Sequence, residues 1–331
     1  MKFIELFAGI GGFRYGLDVV TASRRQKQQE MEPQSNMANL ASKRTEQSTF
    51  TCVYANEWDK YATKIYGKHY GEIDTRDIRT VRDFPDHELL TAGFPCQAFS
   101  VAGTRKGFDD TRGTLFFEIA RIAKQKQPRL LLLENVKGLL SHDRGETFYT
   151  ILQTLDEIGY DLQWQVLNSK DFGVPQNRQR VFIIGNLRGT PRPEVFPITR
   201  NNGKACKELT QGVNQADRIY DKTGLSPTLP TSGGGRHEPK IGVAIQDHEL
   251  KFKEMATTLD ANYYKGLDNH QGRTGILDNF RIRKLTPLEC ERLQGFPDGW
   301  TEGLSNTQRY KCLGNAVTTT VITAIGERLW S

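Results

Sequence analysis

The sequence predicts an α/β protein built on a doubly wound, mostly parallel sheet, with a smaller loop-rich second domain. Three observations predict it. Short apolar strands alternate with stretches of helical apolar spacing as far as residue 190, the pattern of a parallel sheet covered by helices. One strand, Leu130 to Leu133, is apolar throughout, as burial on both faces requires. The residues with chemical potential, among them Glu57, Cys96 and Glu134, fall just past strand ends, where such sheets place their ligands.

The elements follow in order. Residues 2–7 read as a buried strand opening into the tight loop Gly9-Ile10-Gly11-Gly12, and Phe13 to Val20 as the start of a helix. Residues 21–48 are rich in Gln, Ser, Arg and Lys, contain Pro33, and read as an exposed insertion. Phe50 to Ala55 is a strand ending at Asn56-Glu57-Trp58, and Glu88 to Ala92 a strand leading into Gly93-Phe94-Pro95-Cys96. Thr114 to Gln125 is helical, the 130–133 strand ends in Glu134-Asn135, Phe148 to Ile158 is helical, and Arg180 to Ile184 is again a strand. Past residue 188, Gly, Pro, Asn and Thr become frequent, and no long helical period returns until residue 286; Thr318 to Leu329 is a helix. The expected organisation is a main domain over 1–190 with 21–48 inserted, a loop-rich domain over 191–280, a hinge over 281–305, and a segment 306–331 returning to the main domain.

Composition narrows the class. The net charge of +6 suits a polyanionic partner without establishing one. The five cysteines are widely spaced and form no C-x-x-C pair, which argues against a zinc site and for a reducing, cytoplasmic setting. No apolar run is long enough to cross a membrane, and the Met1 to Phe7 stretch carries an acid where a secretory signal would be apolar.

Each chemical constellation has a physical reason. Glycines after a strand, as in Phe7-Ala8-Gly9-Ile10-Gly11-Gly12, let backbone approach a ligand. An acid at the end of the next strand, Glu57, accepts hydrogen bonds from ribose hydroxyls in dinucleotide-type sites; the polar insertion accounts for its longer spacing. Asp77-Ile78 pairs an acid with an aliphatic residue, a combination suited to an adenine amino group and ring. Cys96 follows Pro95 on a stiff loop, a sensible mount for a thiolate nucleophile, whereas the other four cysteines read as inert core residues. A carboxylate at Glu134 is costly after a buried strand unless it has a task or a partner, which makes it a candidate proton donor. Arg178 and Arg180, two apart in a strand, would face one side and converge on one anionic or carbonyl group.

Together these residues resemble the DNA (cytosine-5)-methyltransferases, above all the small bacterial and phage enzymes of restriction–modification systems. F-A-G-I-G-G at 7–12, N-E-W at 56–58, G-F-P-C-Q at 93–97, R-G-T-L-F-F at 112–117, E-N-V at 134–136, Q-N-R-Q-R at 176–180, R-K-L-T-P-L-E-C-E-R-L-Q-G-F-P at 283–297 and L-G-N-A-V at 313–317 stand in the family's order across nearly the whole chain.

The resemblance implies a Rossmann-like methyltransferase fold and a mainly β target-recognition domain over 191–280. It implies methyl transfer from S-adenosylmethionine, leaving S-adenosylhomocysteine and using no metal, to C5 of a cytosine flipped out of a short duplex sequence. Cys96 would add to C6, Glu134 would contact N3 and the exocyclic amine, Arg180 would hold O2, and Arg178 would support them. Phe7, Gly9, Gly11, Glu57, Trp58, Asp77, Ile78, Pro95, Leu115, Asn315 and Ala316 would form the cofactor site. Many relatives have Ser in place of Ala316, so the contact expected there is through backbone. Gln97 and Ser100, in a loop over 97–113 that closes on the flipped base, would contact DNA, as would Gln215, Arg218, Thr228, Gly233 and Gly234. The partners implied are double-stranded DNA and a separately acting cognate restriction endonuclease, with the enzyme a cytoplasmic monomer. Three other readings remain at this point. One is an RNA cytosine-5 methyltransferase, although a Cys-Phe-Thr tripeptide associated with one such branch is absent. The others are an inactive DNA-binding regulator and a nicotinamide-dependent oxidoreductase.

Overall fold

The computed structural model describes residues 1–31, 49–95, 115–198, 275–278 and 281–330. Its main sheet has six strands: β1 (Lys2–Leu6), β2 (Thr51–Asn56), β3 (Leu89–Gly93), β4 (Leu130–Val136), β5 (Tyr160–Asn168) and β6 (Gln179–Leu187). They lie in the order β2-β1-β3-β4-β6-β5. The first four are mutually parallel, while β6 runs antiparallel to both β4 and β5. The reason is the connection. Parallel neighbours need a long crossover, whereas β5 returns to β6 through a single 3-10 turn, Ser169–Phe172, and a short loop.

Helices cover both faces. They are α1 (Gly12–Met31), α2 (Lys60–Tyr70), α3 (Leu115–Lys126), α4 (Glu146–Glu157), α5 (Pro287–Leu293), α6 (Asn306–Asn315) and α7 (Thr319–Arg328). Strand β4 shows why its sequence is apolar throughout. Leu131 and Leu133 point into a core with Ile119, Ile122, Ile151 and Leu155 of α3 and α4. Leu130 and Leu132 point the other way, into a core with Leu17 and Val20 of α1 and Val321, Ile322 and Ile325 of α7. With a period of two, both sets must be apolar.

The stretch read as an insertion begins later than its composition suggests. Helix α1 continues to Met31, and Thr21 on it is buried, its hydroxyl accepting the Phe50 N–H at 2.9 Å. Residues 32–48 lie outside the described residues. The span read as a hinge holds β8 (Arg281–Lys284), paired with β7 (Gly275–Asp278), and then α5. A capping box between Thr286 and Glu289, with Pro287 behind the cap, starts α5. Leu285, Leu293, Phe296 and Trp300 pack with Leu313 of α6 against Ile10, Ala62 and Ile65, adding a layer over the glycine loop and α2.

Candidate active site

The first wall of the site is the turn after β1. Phe7, Gly9 and Gly11 have φ of 54°, 55° and 85°, in the left-handed region that glycine enters freely. A side chain at Gly11 would put its Cβ 2.5 Å from Tyr70. The end of β2 holds this turn: Ala8 N–H donates to the Asn56 carbonyl at 3.0 Å, and Gly9 N–H to Glu57 Oε2 at 2.9 Å. The other oxygen of Glu57 accepts the N–H groups of Trp58 and Asp59 at 2.9 and 2.8 Å. Burial pushes the Glu57 carboxyl up, and the three backbone N–H groups pull it back. Trp58 beside it is 67 % exposed, and an aromatic face so open is free to stack on a ligand.

The second wall is where β3, β4 and β6 meet. Gly93, at the end of β3, stands opposite Glu134 on β4. A Cβ at 93 would come within 3.3 Å of Glu134 Oε2, so the glycine makes room for the carboxylate. Arg180 stands opposite Val136, one diagonal step from Glu134 and on the same face. Its Nε lies 3.0 Å from Glu134 Oε1, with the two side chains 15 % and 12 % exposed. The cost of burying Glu134 is thus met by a guanidinium. Asn135 donates from Nδ2 to the Phe94 carbonyl at 2.9 Å, tying β4 to the chain that runs into Pro95.

Arg178 lines the same cavity as Arg180 but is held by different partners. Strand β6 begins only at Gln179, so the two-residue rule does not reach back to 178. The Arg178 side chain turns into the interior, 2 % exposed, and donates to the carbonyls of Gly314 and Ala316 at 3.0 and 2.8 Å. Those carbonyls flank Asn315. Burial, and then the nearby Arg180 charge, disfavour the charged guanidinium, while Glu134 favours it.

The third wall is α6, which supplies Lys311, Cys312, Gly314 and Asn315. Lys311 Nζ pairs with Asp59 Oδ2 at 3.0 Å, joining this wall to the N-terminus of α2. The three walls enclose a cavity of about 430 Å³, the size of a small-molecule or cofactor site.

Of the residues singled out from sequence, Phe7, Gly9, Glu57, Trp58, Pro95, Leu115, Asn315, Glu134, Arg178 and Arg180 line this cavity. Gly11 and Ala316 stand behind the lining, Gly11 against Tyr70 and Ala316 with its carbonyl on Arg178. Asp77 and Ile78 also lie outside it. The Asp77 carboxylate caps a 3-10 turn and is held by Arg79, and Ile78 is buried in the core with Phe84. Cys96, Gln97, Ser100, Gln215, Arg218, Thr228, Gly233 and Gly234 lie outside the described residues. Pro95 and Leu115, the described residues on either side of 96–114, both line the cavity. Lys311 and Asp59 had not been singled out. Asp59 carries a readable signal as a helix N-cap, accepting the Tyr61 and Ala62 N–H groups, but Lys311 looks like any helix surface charge. Burial pushes the thiols of the described cysteines up, Cys52 to about 11 and Cys290 and Cys312 to about 12. Among the described residues no group of three His, Cys, Asp or Glu is placed to hold a metal, and no described helix is long and apolar enough to cross a membrane.

Known proteins match the whole chain. The sequence model for C-5 cytosine-specific DNA methylases matches residues 1–331. The type II methyltransferase M.SsoII of Shigella sonnei is 37 % identical over 342 residues, covering 100 % of this chain and 80 % of the relative. The type II methyltransferase M.HhaI of Haemophilus parahaemolyticus is 34 % identical over 350 residues, covering 100 % and 94 %. Among solved structures, the S. pombe Dnmt2 methyltransferase superposes with a TM-score of 0.62 at 19 % identity, over 98 % of this chain and 96 % of that one. A putative DNA modification methyltransferase from an E. coli prophage gives 0.59 at 18 % identity, over 100 % and 98 %. At those identities the superpositions speak for the fold alone.

Proposed function

The chain belongs to the C-5 cytosine-specific DNA methylases, and from that premise we propose that it transfers a methyl group from S-adenosylmethionine to C5 of a cytosine flipped out of a short specific duplex sequence, by way of a covalent Cys96 adduct. The observation that carries this reading is the Glu134–Arg180 pair, which faces the same cavity as Pro95, the residue that precedes Cys96.

The cavity suits the cofactor. Three backbone N–H groups occupy Glu57, and a carboxylate has about four acceptor positions, which leaves capacity for a ribose hydroxyl. Trp58 offers an open ring face, the glycine turn brings backbone close, and Asn315 lines the wall that α6 supplies. Phe7, Gly9, Glu57, Trp58, Asp77, Ile78, Pro95, Leu115 and Asn315 would hold the cofactor, with Gly11 and Ala316 shaping the turns behind them. S-adenosylmethionine, when bound, supplies an electrophilic methyl group.

The chain's own residues prepare the cytosine. C5 is a poor nucleophile until a group adds to C6. Cys96, one residue beyond Pro95 and therefore within about 4 Å of it along the backbone, would add as the thiolate. Glu134 would meet N3 and the exocyclic amine, and Arg180 the O2 carbonyl, offsetting the charge that develops on the ring. Such preorganised contacts are worth about 3–4 kcal/mol each. Methyl transfer to C5, loss of the C5 proton to a base and departure of Cys96 complete the cycle. Arg178 acts at one remove by holding the turn that presents Asn315. Residues 191–280 would read the DNA sequence, with Gln215 and Arg218 as base contacts, and the product would be protected from a cognate endonuclease acting separately.

Labelled methyl transfer onto duplex DNA and onto RNA tests the proposal. The expected result is label in DNA only, at 5-methylcytosine in one short sequence on bisulfite reading, and none with Cys96→Ser. Label in RNA alone, or full activity of Cys96→Ser, would overturn it. The family is one of DNA methylases by name, which favours DNA over the RNA reading.

A further inference from the structure

The glycine turn is held in a conformation that side-chain-bearing residues seldom adopt, with Phe7 itself at positive φ. Two of its tethers come from the adjacent strand, at Asn56 and Glu57. A third comes from 290 residues away, where the Trp300 indole Nε1–H donates to the Ile10 carbonyl at 3.0 Å. Ile10 lines the cavity.

Trp300 is fixed where this bond requires it. It is 7 % exposed. Its ring stacks on His69 with centroids 3.6 Å apart and planes 7° from parallel. Tyr15, Tyr70 and Phe296 close around it. Its backbone carbonyl is 2.7 Å from His69 Nε2. An indole nitrogen can only donate, and leaving it unpaired when buried is costly. The bond therefore orients the Ile10 peptide as firmly as it satisfies the indole. Trp300 is not among the cavity-lining residues, so any effect on a ligand passes through the turn.

We propose that Trp300 is a positioning residue for the cofactor, its indole N–H holding the Ile10 peptide so that the Gly9–Ile10 edge of the turn keeps the shape that receives S-adenosylmethionine. This rests on the reading of the cavity as the cofactor site. A packing role would reside in the ring, whereas the positioning role resides in the N–H.

Two variants separate them. Trp300→Phe removes the N–H and part of the ring. Trp300→3-benzothienylalanine keeps the bicyclic shape with sulfur in place of the N–H, and is decisive if the phenylalanine variant fails to fold. The probes are S-adenosylhomocysteine by calorimetry and, separately, duplex DNA without cofactor. The expected result is a dissociation constant for S-adenosylhomocysteine raised about three- to tenfold in both variants, the range of one net hydrogen bond. DNA affinity should change less than about twofold, and KM for S-adenosylmethionine should rise while kcat at saturation holds. S-adenosylhomocysteine binding by the benzothienyl variant as tight as in the unmodified protein would overturn the inference while leaving the proposed function standing. Failure of the unmodified protein to bind S-adenosylhomocysteine would overturn both.

Discussion

Arg180 and Glu134 meet diagonally across β6 and β4, Nε to Oε1 at 3.0 Å, each mostly withdrawn from water. Each charge makes the other's burial tolerable, so stability and catalysis should come apart on mutation. Arg180→Ala strands the carboxylate and is expected to cost about 3 kcal/mol of stability. Adding Glu134→Gln to it should return much of that stability, because the unpaired charge is gone. Methyl transfer should stay at least about a hundredfold down in both. Urea denaturation beside single-turnover assays reads the two quantities, and a double variant no more stable than Arg180→Ala counts against the pairing.

A second carboxylate gives a pH signature. Glu5 on β1 is fully buried and accepts the Tyr66 hydroxyl at 3.2 Å and the Arg14 N–H at 3.3 Å. Burial pushes it up from 4.5 to about 8. A carboxyl raised on folding contributes stability that is full below pH 4.5 and is lost as pH climbs through about 8. Between those values the folded state holds a proton that the unfolded state has released, so stability falls by about 1.4 kcal/mol per pH unit at most. Glu5→Gln should flatten that decline and be the more stable form at pH 8. Denaturation midpoints of the two proteins at pH 5, 6.5 and 8 decide it, and parallel curves would assign the decline to other groups.

Gly16 sets how closely α1 approaches α7. A Cβ there would stand 2.7 Å from Ile322 Cβ and 2.8 Å from the Thr319 carbonyl, which belongs to helix backbone and cannot swing away. The Thr323 hydroxyl also donates to the Gly16 carbonyl, at 3.1 Å. Alanine normally favours a helix over glycine by about 1 kcal/mol. Here overpacking should outweigh that, giving a net loss of about 1–2 kcal/mol. A melting temperature for Gly16→Ala equal to or above that of the parent would refute the close packing.

Much of this was legible because it depends on local pattern. The apolar run 130–133, the glycine turn and Glu57 declare themselves by residue type. Other features are legible in the same way. Tyr160, Leu162, Trp164 and Val166 alternate with polar residues along β5, a period-two signal, and Asp59 announces α2 as an N-cap. The rest depends on tertiary contact. Nothing near Arg178 in sequence says that it will cross to carbonyls at 314 and 316. Asp77-Ile78 reads as a ligand motif by residue type, and only the fold shows that Asp77 also caps a 3-10 turn and pairs with Arg79.

The order in which the walls appear along the chain has a consequence for synthesis. The glycine turn, Glu57, Pro95, Glu134 and Arg180 are all translated by residue 180, but the third wall comes from residues 311–315. Until these emerge from the ribosome, Arg178 has no carbonyls at 314 and 316 to hold. Ile10 awaits its indole tether, and the face of α1 that meets α7 is bare. A nascent chain can therefore carry Glu57, Glu134 and Arg180 and still have no cavity, so the cavity arrives as a late single step rather than growing with length.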